Sequence, residues 1–136
     1  MLEQTTRYGI GTTVDLPYDR AVERTRQELA KQGFGVLTEI DVAATLKKKL
    51  DVTFRPYVIL GACNPPLAHR ALTAELDIGL LLPCNVVVYA ADTPGKSVVA
   101  VMDPIAALEL TGNEAVRSVA QEVRTRLVRV LDAVGS

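Results

Sequence analysis

With 136 residues, 49% of them hydrophobic and 23% charged, the chain has the composition of one globular domain whose core needs no disulfide or metal staple. Its formal net charge is −1 and its basic residues are spread along the sequence. That argues against a nucleic-acid partner, which requires a clustered basic surface to neutralise phosphates. The one dense basic run, Lys47-Lys48-Lys49, reads as a solvated helix end favoured by the helix dipole. Met1 to Thr13 is polar and lacks the apolar centre of a secretory signal. The longest apolar stretch, Ile78 to Ala91, is broken by Gly79, Pro83 and Asn85 and falls short of the ~18 residues that suggest a membrane span. The expectation is a single cytoplasmic domain, residues 1–136, with no membrane partner and with both cysteines as thiols.

In chain order, Arg7 to Val14 reads as a first strand with Tyr8, Ile10, Thr12 and Val14 on one face. Gly9 and Gly11, on the other face, call for a neighbour packed against bare backbone. Tyr18 to Gln32 carries a helical stripe of Tyr18, Val22, Thr25 and Leu29, with Pro17 in the first turn and Gly33 at the stop. Phe34 to Asp41 is a second strand, with Leu37, Glu39 and Asp41 on one face and Val36, Thr38 and Ile40 on the other. Asp41 is placed to cap a helix striped by Val42, Leu46 and Leu50.

Tyr57 to Ala62 is continuously apolar, the pattern of a strand buried on both faces. Asn64 and Pro65 then open a short helix through Leu67, Ala68, Ala71 and Leu72. Asn85 to Ala91 and Ser97 to Met102 form a hairpin across the Thr93-Pro94-Gly95-Lys96 turn. Asp103-Pro104 starts a short turn or helix. Thr111 and Glu114 fit a capping box before a long helix striped by Val116, Val119, Val123, Leu127, Val130 and Val134. The order β-α-β-α-β-α-β-β-α suits a two-layer α+β domain, with long helices on one face of a mostly antiparallel sheet.

Chemistry concentrates at two corners. Cys63-Asn64 and Cys84-Asn85 hold the only cysteines, and the lone histidine, His69, lies between them in sequence. The thiols are either core residues or a metal-binding or redox pair. Thiolates favour soft metals, yet no Cys-x-x-Cys spacing is present. The asparagines either cap local backbone or present donors and acceptors to a ligand. Glu39 is either a solvated strand end or a carboxylate on the rim of the same site. Catalysis by a Cys-His pair would need His69 within reach of a thiol, and no glycine-rich phosphate loop occurs.

Four stretches carry a family resemblance: G-F-G-V-L-T-E-I-D-V at Gly33 to Val42, T-L-K-K-K-L at Thr45 to Leu50, P-Y-V-I-L-G-A-C-N-P at Pro56 to Pro65, and G-L-L-L-P-C-N-V-V-V-Y at Gly79 to Tyr89. With Met102-Asp103-Pro104, they make the chain similar to domain of unknown function 302. The resemblance implies a fold like that of the TATA-box-binding protein, a curved sheet with a β-α-β-β-β-β-α core. It also implies a compact, dimeric bacterial or archaeal protein, and it carries no reaction or cofactor. Fold likeness to a DNA binder does not itself imply DNA binding. The functional expectation is a small-ligand-binding or homodimeric module whose ligand site is built from Cys63, Asn64, Cys84, Asn85 and Glu39, without a resident metal. The alternative is a thiol-based metal or redox protein using Cys63 and Cys84.

Overall fold

A computed structural model of the chain describes residues 2–136. Met1, the start of the polar stretch read above, lies outside them. Six strands form one sheet: β1 (Glu3–Thr6), β2 (Gly9–Val14), β3 (Gly35–Asp41), β4 (Tyr57–Cys63), β5 (Cys84–Ala90) and β6 (Ser97–Met102). Their order is β1-β2-β6-β5-β4-β3, and every neighbouring pair is antiparallel. The helices are α1 (Tyr18–Lys31), α2 (Val42–Leu50), α3 (Pro65–Ala74), α4 (Pro104–Leu108) and α5 (Glu114–Gly135), with a 3-10 helix at Leu76–Leu81. This is the two-layer α+β arrangement expected from the element order.

Alternation sorts the sheet into two unlike faces. Val58, Leu60 and Ala62 of β4, Val86 and Val88 of β5, and Val99 and Val101 of β6 are buried under the helices. The stripe of α5 meets them, with Val116, Leu127 and Val130 fully buried. The opposite face of the same three strands carries Tyr57, Ile59, Val87, Tyr89, Val98 and Ala100, all half-buried. The apolar run of Tyr57 to Ala62 thus reflects two faces that are both hydrophobic, only one of them covered by helices.

Several sequence expectations shift. A short strand, β1, precedes the first expected one, and its Thr5 side chain supplies the close neighbour of Gly11: a Cβ there would lie 3.0 Å from Thr5 Cγ2 and 3.1 Å from Ala100 Cβ. Tyr8 sits in the β1–β2 turn, largely exposed, and does not share the buried face of Ile10, Thr12 and Val14. The β3–β4 ladder slips between Val36 and Thr38. Val36 pairs with core-facing Ala62, whereas Thr38 pairs with Gly61 and Ile40 with Ile59, on the other face. A bulge at Leu37 breaks simple alternation by inserting an unpaired residue. Helix α2 buries none of its residues, so its Val42-Leu46-Leu50 stripe does not reach the core. The long helix is capped by Asn113, whose side chain accepts from Ala115 N, and not by Thr111, whose hydroxyl donates to Leu108 O. The Thr111–Glu114 box fails because a 3-10 turn, Glu109–Thr111, carries the chain past Thr111 before the helix begins.

A candidate apolar pocket at the Cys63 and Cys84 strand ends

Asn64 leaves β4 in an extended conformation and starts α3. Its Oδ1 accepts from Leu67 N at 3.4 Å, and Pro65 occupies the first helical turn, where a missing N–H costs nothing. The amide of the same side chain donates to Gln32 O, which also accepts from Arg126. One buried side chain therefore ties the start of α3 to the end of α1. The chain turns there through Gly33, whose φ of 85° is left-handed backbone that favours glycine.

Between α3, α5 and the ends of β3, β4 and β5 lies a cavity of about 320 Å³. Its helical walls come from Leu67, Ala71, Val119 and Val123, and its floor from Ala62 and Cys84. Leu37 at the β3 bulge, Leu72 and the Leu82-Pro83 segment frame the mouth. Among the described residues no charged side chain lines it, and Thr38, Asn64 and the two thiols are its only polar side chains.

Cys84 is buried and Cys63 partly so, and both are free thiols. Burial pushes the Cys84 thiol up from 9.0 to about 11, with the neighbouring Cys63 adding to the rise. At neutral pH it is a protonated, apolar wall residue and a poor nucleophile. In the β4–β5 ladder Cys84 stands opposite Ala62, and Cys63 is the next residue of β4. The strand ends at Cys63 and the chain turns there into α3, so both cysteines border the pocket where the ladder stops.

Of the five residues proposed from sequence, Cys63, Asn64 and Cys84 line this pocket and Asn85 and Glu39 do not. Asn85 is exposed on the opposite face of β5. Glu39 is exposed and pairs with Arg26 of α1 at the surface. His69 faces a separate shallow hollow with Arg70, Thr73 and Ala115, away from both thiols. Among the described residues no group of three or more His, Cys, Asp or Glu side chains is arranged to hold a metal ion. Sequence reasoning assigned Leu67, Ala71, Val119 and Val123 to packing. Their i, i+4 spacing is visible on both helices, but nothing in it distinguishes a pocket wall from a core position. No helix among the described residues is long and apolar enough to cross a membrane.

Fold and pocket together define a small two-layer α+β protein, with an all-antiparallel six-stranded sheet and a neutral cavity at its strand ends. The family model described as "Domain of unknown function DUF302" matches residues 10–134, and the chain belongs to that family. A solved structure titled as the uncharacterized conserved protein DUF302 from Bacillus stearothermophilus is 30% identical over 94% of this chain and 98% of that one, with a TM-score of 0.86. The resemblance drawn from the four motifs is thereby established. No curated protein matches the chain.

Proposed function

We propose that the protein binds a small, neutral, apolar molecule in the pocket at the Cys63 and Cys84 strand ends. The carrying observation is a cavity of about 320 Å³ without a charged lining residue, in a domain that otherwise packs its covered sheet face tightly. Its size falls in the lower range of ligand pockets, which are mostly apolar with a few polar groups for orientation. A charged ligand would lose hydration there and find no counter-charge. The thiols act as polarizable wall atoms, and Thr38 and Asn64 mark the polar end.

The test is a methyl-resonance titration with toluene and with 1-octanol. Saturable shifts at Leu67, Leu72, Val119 and Val123 are expected, and Ala68→Phe, which fills the cavity from α3, should abolish them. Shifts that survive Ala68→Phe, or none for either probe, overturn the reading.

A homodimer is the second reading, favoured by leucines exposed close to the pocket mouth. Leu37 is 67% exposed, and Leu76 and Leu80, in the 3-10 helix that contributes Gly79 to the lining, are 83% and 87% exposed. Such a patch gains by meeting its own copy across a two-fold axis. Sedimentation should then show a dimer that Leu37→Glu with Leu80→Glu dissociates, and a monomeric wild-type chain would exclude it.

A further inference from the structure

The uncovered face of the sheet holds a second concavity, of about 580 Å³, separated from the first by the sheet itself. Its form follows from the strand register. Gly11, Ala100, Val87 and Ile59 stand side by side across β2, β6, β5 and β4 on that face. The small residues Gly9 and Ala100, with Val87, leave the middle of the sheet low. Tyr57 and Tyr89 rise beside it as a cross-strand pair, stacked with ring centroids 5.1 Å apart and planes within 6°. Tyr8, in the β1–β2 turn, and Met102 close the other sides, and Asn85 projects a carboxamide into the same space. Three of the four tyrosines thus border one trough, which no charged side chain lines.

We propose that this trough binds a neutral, planar heteroaromatic group, with Tyr8, Tyr57 and Tyr89 as its aromatic walls and Asn85 reading a hydrogen-bonding edge. Asparagine offers two donors and an acceptor on one rigid amide, the complement of a ring edge that carries both. Tyrosines supply large contact area with few rotors to freeze, and a polar tip besides. Burial and the neighbouring phenols of Tyr89 and Tyr8 raise the Tyr57 pKa, so its hydroxyl stays a neutral donor at physiological pH. A shallow floor of small residues admits a flat group and excludes a branched one. A purely apolar partner would displace water from the Asn85 amide and the trough-facing tyrosines without replacing its hydrogen bonds, which disfavours it here and distinguishes this site from the thiol-lined pocket.

The chain has no tryptophan, so its intrinsic emission comes from four tyrosines, three of them at the trough. Riboflavin and adenosine are suitable neutral planar probes. Saturable quenching of riboflavin emission is expected, together with adenosine-induced quenching of tyrosine emission. Tyr89→Leu should weaken both by about tenfold or more, and Asn85→Ala by about fivefold. Asn85 is exposed, so its loss leaves the fold intact and keeps the test decisive even if Tyr89→Leu melts early. Ala68→Phe, on the other side of the sheet, should change neither. Absence of saturable binding for both probes overturns the proposal. Binding indifferent to Tyr89→Leu and Asn85→Ala overturns it too, as does a wild-type dimer that Tyr57→Asp dissociates, which would assign this face to a second copy.

Discussion

Cys63-Asn64 and Cys84-Asn85 are the same dipeptide at neighbouring points of one β-ladder, and the fold uses them in opposite ways. The first pair straddles the end of β4: Cys63 is the last strand residue, and Asn64 is a buried helix cap. The second pair begins β5: Cys84 is buried under the helices and Asn85 is exposed on the other face. One asparagine therefore holds two helices together, while its counterpart holds nothing in the fold and is available to a ligand. Residue type sets what a side chain can bond. Its parity and its distance from the strand end decide what it does bond.

The largest effect is expected midway between the corners, at Gly61, which pairs with Asn85 on β5 and Thr38 on β3. A Cβ at this position collides with Thr38 Oγ1 and lies 2.9 Å from Pro83 Cγ. The hydroxyl can rotate but the proline ring cannot. Gly61→Val should cost about 3 kcal/mol in urea unfolding, the upper end of overpacking penalties. A cost below about 1 kcal/mol would show that the two corners are not locked together.

Next in size is the pH dependence carried by Cys84. The folded thiol keeps its proton to about 11, and an unfolded thiol loses it near 9.0. Its contribution is complete below pH 9 and is lost as pH rises from there towards 11. The span corresponds to about 3 kcal/mol. Tyr18 and Tyr57, both raised by burial, add losses of the same sign above pH 10. The discriminating measurement is therefore unfolding at pH 9 to 10 for wild type and Cys84→Ala, with the steeper decline expected in wild type alone.

The asparagines themselves give the direct comparison. Asn64→Ala should destabilise by about 1–2 kcal/mol, because it removes the α3 cap and the bond to Gln32 O. Asn85→Ala should change stability by less than about 0.5 kcal/mol, as exposed positions without a structural partner do. Equal losses in thermal melts of the two variants would abolish the distinction drawn between the corners.

How much of this was legible beforehand depends on the range of the interactions. Asp41 and Asn64 were readable as caps because capping is decided within three residues: Asp41 accepts from Ala44 N and Asn64 from Leu67 N. The α5 stripe and the β5–β6 hairpin were readable for the same reason, their periodicity and turn lying inside one short window. For Glu39 the sequence left a solvated strand end and a site carboxylate both open, because its partner Arg26 belongs to a different element packed beside it; the exposed position matches the first. The Leu37 bulge was invisible to a period-2 count, which assumes that register never slips.

By itself, then, the sequence determined the class of the fold, the family, most helices and strands, and the two Cys-Asn corners as the place where versatile side chains gather. Only the tertiary structure decided that Cys63, Asn64 and Cys84 share an apolar cavity, while Asn85 joins three tyrosines on the far side of the sheet. The reason is geometric. Adjacent residues in a strand leave on opposite faces, and which face is covered depends on helices that arrive from elsewhere in the chain.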